Sequence, residues 1–156
     1  MLDHLEALES QSIYIIREAY NRLERLGMLW SLGKDSNVML WLCRKAFLGH
    51  VPFPVVHVDT AKKFEEMYAF RKHYAKEWGL NLIVGDCPPI ENIDATLPPA
   101  ARAAARKTAG LKSLLAREGF TGVFAGIRRD EESTRAKERV FSPRGEAGQW
   151  HFRDQP

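Results

Sequence analysis

Two cysteines, Cys43 and Cys87, are all that the 156 residues contain. They form no C-x-x-C pair and sit at no metal-ligand spacing, which excludes a disulfide framework and a zinc site and leaves two reduced thiols. No apolar run approaches the roughly 20 residues that a bilayer demands, so no membrane span is expected. The opening Met1-Leu2-Asp3-His4 has neither a basic n-region nor an apolar core, so no secretory leader is expected and a cytoplasmic protein is. Missing as well are the G-x-x-x-x-G-K-S/T spacing of a Walker loop and the G-x-G-x-x-G of a dinucleotide fold. There is no internal repeat, and only the Ala/Arg stretch around 100–106 is compositionally biased. A strong charge of one sign is absent too. The net charge is +3, with 45% hydrophobic and 28% charged residues. Those values describe an ordinary soluble domain. The basic lean is too mild to imply nucleic acid but suits small acidic substrates such as phosphate or sulfate esters.

What is present is concentrated at Met28-Leu29-Trp30-Ser31-Leu32-Gly33-Lys34-Asp35-Ser36. An apolar strand runs into a short Ser/Gly/Lys turn, and a helix-forming segment follows at once. Such a turn aims backbone N–H groups, two hydroxyls and an ammonium at the positive end of a helix dipole, the place where phosphate binds. Gly33 is expected to let the backbone approach a ligand, Lys34 to neutralise charge, and Ser31 and Ser36 to donate to phosphate oxygens. Ser36 could instead cap the helix, and Asp35 could cap it or hold Mg²⁺. A plain helix N-cap is the alternative, but capping needs neither glycine nor lysine.

Around this loop the chain alternates. Residues 3–26 read as an amphipathic helix with Leu5, Leu8, Ser12, Ile16, Tyr20 and Leu23 at helical spacing, ended by Gly27. Strand 28–31 and helix 36–47 follow. Val55-Val56-His57-Val58-Asp59 is β-branched like a buried parallel strand, 64–78 is helical, and 80–84 is a third strand. Residues 86–100, with four prolines, form a loop expected to move. A helix over 101–118 and a strand over 122–125 complete the pattern. Alternating strands and helices predict an α/β fold, a parallel sheet in a three-layer α/β/α, Rossmann-like arrangement. The first 26 residues are expected to form a helix packed on the core, and 27–156 a nucleotide-binding domain. Ligands bind such sheets beyond the carboxyl ends of the strands. The unusual polar residues fall there: Ser31–Ser36, Asp59-Thr60, and Gly126–Asp130. His57 reads equally as a satisfied core histidine or a nucleotide contact.

Arg128, Arg129, Arg135, Lys137 and Arg139 crowd into one segment, interleaved with Asp130, Glu131, Glu132 and Glu138. A helix there would pair Arg128 with Glu132 and Glu131 with Arg135, giving a solvated, salt-bridged surface. Against that stand its position after the fourth strand, the close approach Gly126 allows, and the suitability of guanidinium forks for tetrahedral anions. Arg128 and Arg129 are therefore the candidate ligands of a transferred anion. No aromatics interleave these charges, which argues against RNA.

Ser31-Leu32-Gly33-Lys34-Asp35-Ser36 resembles the pyrophosphate loop of the ATP pyrophosphatase (adenine nucleotide alpha hydrolase-like) superfamily. Its neighbours are similar to one branch, the small catalytic subunits of bacterial sulfate adenylyltransferases in the phosphoadenylylsulfate reductase-like group. The matching segments are Met28–Leu40, Pro52–Thr60, Phe64–Arg71, Gly110–Phe120 and Gly126–Val140. The resemblance implies adenylyl transfer from ATP to sulfate with release of pyrophosphate. Ser31, Leu32, Gly33, Lys34, Asp35 and Ser36 would then bind ATP and its pyrophosphate. His57, Val58, Asp59, Thr60 and Gly126 would line the nucleoside pocket, and Lys34, Arg128 and Arg129 would be catalytic. It also implies Mg²⁺ with ATP, with Asp35 as its ligand, a GTPase large subunit as partner, and a longer protein whose further half completes the site. It leaves room for a homo-oligomer. Where this branch has Gly-Trp-Lys-Phe after Asp-Thr, the chain has Ala61-Lys62-Lys63-Phe64. A phosphoadenylylsulfate or adenylylsulfate reductase, another sulfur-inserting ATP pyrophosphatase, and a non-catalytic nucleotide-binding module are the alternatives.

Overall fold

The computed structural model describes residues 3–145. The opening Met1-Leu2 and the stretch 146–156 of the expected 27–156 domain lie outside them. Contacts divide the chain into two compact units, Met1–Gly126 and Ile127–Pro156.

The first unit begins with α1, His4–Arg22. A capping box starts it. The Asp3 carboxylate accepts the Glu6 amide at 2.8 Å, and Glu6 accepts the Asp3 amide at 3.1 Å. The helix ends at Leu23, whose extended backbone still donates to the Ala19 carbonyl. Gly27 was expected to end it but lies inside β1, Leu26–Leu29. There it pairs with Val123 under the Phe120 ring. The buried stripe of α1 is Ile16 and Ala19, whereas Leu5, Leu8 and Tyr20 are exposed.

The remaining elements follow in strict alternation: α2 (Lys34–Ala46), β2 (Val55–Asp59), α3 (Glu65–Glu77), β3 (Leu82–Asp86), α4 (Pro99–Glu118) and β4 (Gly122–Phe124). Pro99 starts α4 two residues before the expected boundary, because proline at N1 gives up an N–H that has no helical partner. Gly119 ends it at φ 67° with its N–H on the Leu115 carbonyl. β3 runs past the apolar stretch to Asp86, because its register with β2 carries pairing from Leu82 through Asp86.

All four strands are parallel, in the order β3-β2-β1-β4. Consecutive residues Val55, Val56 and His57 are all buried, so both faces of the sheet are covered. That is the three-layer α/β/α arrangement expected of a β-branched parallel strand. The core gathers Trp30, Met28, Leu40, Cys43, Val51 and Phe53 around the first two strands. α4 packs on β2 and β3 so closely that a Cβ at Gly110 would meet the Cys87 Cα at 3.1 Å. The 86–100 segment, expected to move, is tied to α4. Arg102 donates to the Ile90 and Ile93 carbonyls, and Arg106 to that of Pro88.

In the second unit the helix on which the salt-bridged alternative depended is absent over 128–139. A single 3₁₀ turn, Ser133–Arg135, takes its place. Without helical spacing the i,i+4 pairs of that alternative do not form. Arg128 pairs with Asp130 at 3.3 Å and Arg135 with Glu132 at 3.2 Å, all exposed or partly so. Glu138 is buried. Burial pushes its carboxyl up, but hydrogen bonds from Arg144 and Ser142 outweigh that and hold it below the usual range.

Among the described residues no helix is long and apolar enough to cross a membrane. Both cysteines are free. Burial pushes the Cys43 thiol up to about 12, which leaves it inert as a nucleophile. A thiol reagent added to the native chain should therefore titrate Cys87 alone. Cys87→Ser should abolish the signal, and two fast thiols would contradict the packing around Cys43.

Candidate functional site

In a sheet ordered β3-β2-β1-β4, the chain steps outward from β1 to β3 and then returns to the other side of β1. The reversal opens a crevice at the carboxyl ends of β1 and β4, where such folds bind ligands. The loop after β1 and Gly126 after β4 meet there. A Cβ on Gly126 would stand 3.0 Å from the carbonyl of Asp35 and 3.1 Å from the Ser36 nitrogen. The close approach expected between Gly126 and a ligand is thus used by the chain itself, against the first turn of α2.

The loop grows out of Trp30, whose backbone N–H donates to Val56 at 2.8 Å. Its carbonyl accepts from His57 Nδ1 at 2.8 Å, and its indole N–H donates to Asn37 Oδ1 at 2.7 Å. Ser31 is exposed and its hydroxyl lies 3.0 Å from that of the buried Ser36, which donates in turn to the Gly33 carbonyl. Gly33 is the N-cap of α2 and supplies no side-chain cap. The plain N-cap reading therefore fails: neither Asp35 nor Ser36 caps this helix, and its first-turn N–H groups face the loop without a side-chain acceptor. Lys34, exposed at the first helical position, and Asp35, half-exposed beside it, frame the opening.

The loop's special backbone lies one residue earlier than expected. Gly33 has φ −77°, a value any residue adopts, while Leu32 carries φ 67°. A left-handed leucine costs about 1–2 kcal/mol. Leu32 keeps that conformation with its side chain buried at 8% exposure, and Asn37 Nδ2 donates to its carbonyl at 3.4 Å. Beside it opens a shallow cleft of about 240 Å³ lined by Leu32, Asn37, Glu66, Met67 and Phe70.

At the end of β2, His57 is wholly buried, with Nδ1 on the Trp30 carbonyl and Nε2 unpartnered. Burial lowers its pKa and keeps it neutral, so Nδ1 carries the proton it donates. It has no surface to offer a nucleoside; it ties the second strand to the root of the loop. Asp59 is similarly engaged. Its carboxylate accepts the Ala61 amide and the Tyr68 hydroxyl, both at 2.8 Å, and pairs with Arg71 at 3.6 Å. Burial raises its pKa, but those partners outweigh it and the net direction is down. Val58 and Thr60 are half-exposed alongside.

Several polar residues here escaped the sequence reading. Arg106 of α4 reaches across to the Thr60 carbonyl at 3.0 Å. Its neighbour Lys107 sits near enough to Lys63 for the two charges to interact. Burial, then the Lys107 charge, lower the pKa of the Lys63 ammonium. Lys63, Arg71, Arg106 and Lys107 thus surround the end of β2 with positive charge, and Asp59 is the carboxylate engaged among them. Among the described residues no group of three or more His, Cys, Asp or Glu side chains could hold a metal. Asp35 alone suits a cation that arrives already bound to phosphates, the usual habit of Mg²⁺. In the second unit, Arg128 is paired with Asp130 and Arg129 is exposed.

A parallel α/β/α sheet with a hydroxyl-lined helix N-terminus, free of any side-chain cap, at its topological reversal defines a doubly wound α/β domain, a class that binds its ligands at the strand ends. The chain belongs to the phosphoadenosine phosphosulfate reductase domain family, whose pattern residues 25–154 match. It is similar to sulfate adenylyltransferase subunit 2 of Yersinia pestis strain Pestoides F, with 48% identity over 99% of this chain and 52% of that protein. The chain thus spans about half the length of the curated relatives it matches. Two solved structures share its fold. Phosphoadenylyl-sulfate reductase from Candida auris has a TM-score of 0.57 and 15% identity, covering 82% of this chain and 70% of that one. FMN adenylyltransferase from Candida glabrata has a TM-score of 0.60 and 16% identity, covering 94% and 50%.

Ala61, standing where the resembling branch has glycine, adopts φ 57°. Ala61→Gly should raise the unfolding free energy by about 0.5–1 kcal/mol, since relief of left-handed strain exceeds the added freedom of the unfolded chain. A urea midpoint that stays put or falls would contradict this. The neutral His57 fixes a pH dependence as well. The folded chain binds the proton less readily than the unfolded one, whose histidine titrates near 6.5. Stability should therefore decline as pH falls through 6.5 toward the lower folded value, and His57→Asn should flatten that slope. Denaturation curves at pH 5 to 8 check it.

Proposed function

We propose that the chain carries the adenylyl-transfer site of a sulfate adenylyltransferase, converting ATP and sulfate to adenylyl sulfate and pyrophosphate. The observation that carries this reading is the loop. Ser31 and Ser36 present paired hydroxyls, the α2 N-terminus is uncapped, and Lys34 stands at the opening. The 48% identity to sulfate adenylyltransferase subunit 2 supports the choice of acceptor.

In the proposed reaction a sulfate oxygen attacks the α-phosphorus in line. The bond between the α-phosphorus and the bridging oxygen breaks, and pyrophosphate departs with that oxygen. Charge accumulates on the leaving group, so the chain's contribution is positioning and electrostatic stabilisation. Ser31, Ser36, Lys34 and the first N–H groups of α2, beginning after Gly33, hold the β- and γ-phosphates. Asp35 would hold Mg²⁺ brought in with ATP, and the bound ion would supply further charge neutralisation at the leaving group. The nucleoside lies along Val58–Thr60, and His57 supports it from below rather than touching it. Lys63 and Lys107 supply the positive field that two converging anions need, and Arg128 and Arg129 belong to the sulfate and α-phosphate. A large GTPase subunit is the proposed partner, since the relatives are named as second subunits, and the cytoplasm, where ATP is made available and thiols stay reduced, is the proposed compartment.

Exchange of labelled pyrophosphate into ATP tests this. Exchange that requires sulfate and Mg²⁺ is expected, with Lys34→Ala and Arg129→Ala each lowering it at least tenfold. ATP binding without exchange would replace the reading with a non-catalytic nucleotide module. Exchange indifferent to sulfate would move the acceptor elsewhere, and normal exchange in Arg129→Ala would remove that residue from the chemistry.

A further inference from the structure

The pyrophosphate loop has to hold a fixed shape before any anion arrives, yet its left-handed residue is a leucine and its helix has no side-chain cap. Something else must hold it. Trp30, at its root, is 1% exposed, and a buried indole N–H without an acceptor is costly. Asn37, the fourth residue of α2, supplies that acceptor at 2.7 Å. The same amide group donates from Nδ2 to the Leu32 carbonyl at 3.4 Å, and the Asn37 backbone N–H donates to the Gly33 carbonyl at 2.9 Å. One residue therefore bonds the loop at its entrance, at its strained point and at the helix cap. The Ser31 and Ser36 hydroxyls that face the anion lie between these ties.

We propose that Asn37 is the positioning residue of the anion loop: its side-chain amide, fixed on the buried Trp30 indole, holds Leu32 in the left-handed conformation that points the loop's hydroxyls and N–H groups at one phosphate-sized point. The inference rests on reading residues 31–36 as the pyrophosphate cradle. Asn37 itself touches no substrate. It acts by removing the freedom the loop would otherwise lose on binding.

The test is calorimetric titration of the chain with inorganic pyrophosphate, alongside thermal melting, for wild type, Asn37→Ser, Asn37→Leu and the double variant Trp30→Phe/Asn37→Leu. Asn37→Ser adds no bulk, so a misfolded leucine variant cannot hide the outcome. Either single substitution should weaken pyrophosphate binding at least tenfold and lower the melting temperature. The double variant removes the orphaned indole donor, so it should recover most of the melting temperature while binding stays at least tenfold weak. Recovery of wild-type binding together with stability would show that Asn37 only satisfies Trp30, and would overturn the proposal. So would single variants that bind within twofold of wild type. A wild-type chain that binds no pyrophosphate at millimolar concentration would overturn the loop reading itself, and this inference with it.

Discussion

Everything at the ligand edge hangs on the way Trp30 is held. It directly follows β1 as the first residue of the loop, and three residues from two elements, β2 and α2, grip it. Val56 takes its N–H, His57 its carbonyl contact, and Asn37 its indole. The burial of so large a side chain supplies the stabilisation, and the three hydrogen bonds turn that burial into a fixed direction for the chain leaving it. A smaller apolar residue would leave a cavity and would offer no indole N–H to Asn37.

The two non-glycine residues forced into left-handed backbone at this edge, Leu32 and Ala61, flank the carboxyl ends of β1 and β2. Both are held by side-chain amide or carboxylate bonds, from Asn37 and Asp59 respectively. Strain at a ligand edge persists only where surrounding structure over-determines it. In this chain the determining groups are uncharged, as Asn37 is, or already paired, as Asp59 is with Arg71.

The strand–loop–helix at 28–36 was legible because an apolar run followed by Gly-Lys has few other uses, and β2 because its β-branched run suits only a buried parallel strand. The order of elements followed from their alternation. What escaped the reading was decided by contacts distant in sequence or by residues with no chemical flag. Leu23 ends a helix without glycine because the chain must turn to pair β1 with β4. Asn37 and Trp30 look like surface and core until the loop folds one onto the other. Lys63 and Lys107 converge only because α4 crosses back over β2. The charge spacing over 128–139 left a salt-bridged helix open as an alternative, and an irregular chain with one 3₁₀ turn occurs there.

The strand order carries a consequence for biosynthesis. β1 emerges well before its neighbour β4, the last of the four described strands, so the crevice at their junction cannot exist until residue 126 has left the ribosome. Until then the first strand has one open flank, a row of unpaired amides and carbonyls able to recruit any extended segment nearby. The nascent chain is thus most prone to misassociation while the loop after β1 still lacks β4 and Gly126 beside it.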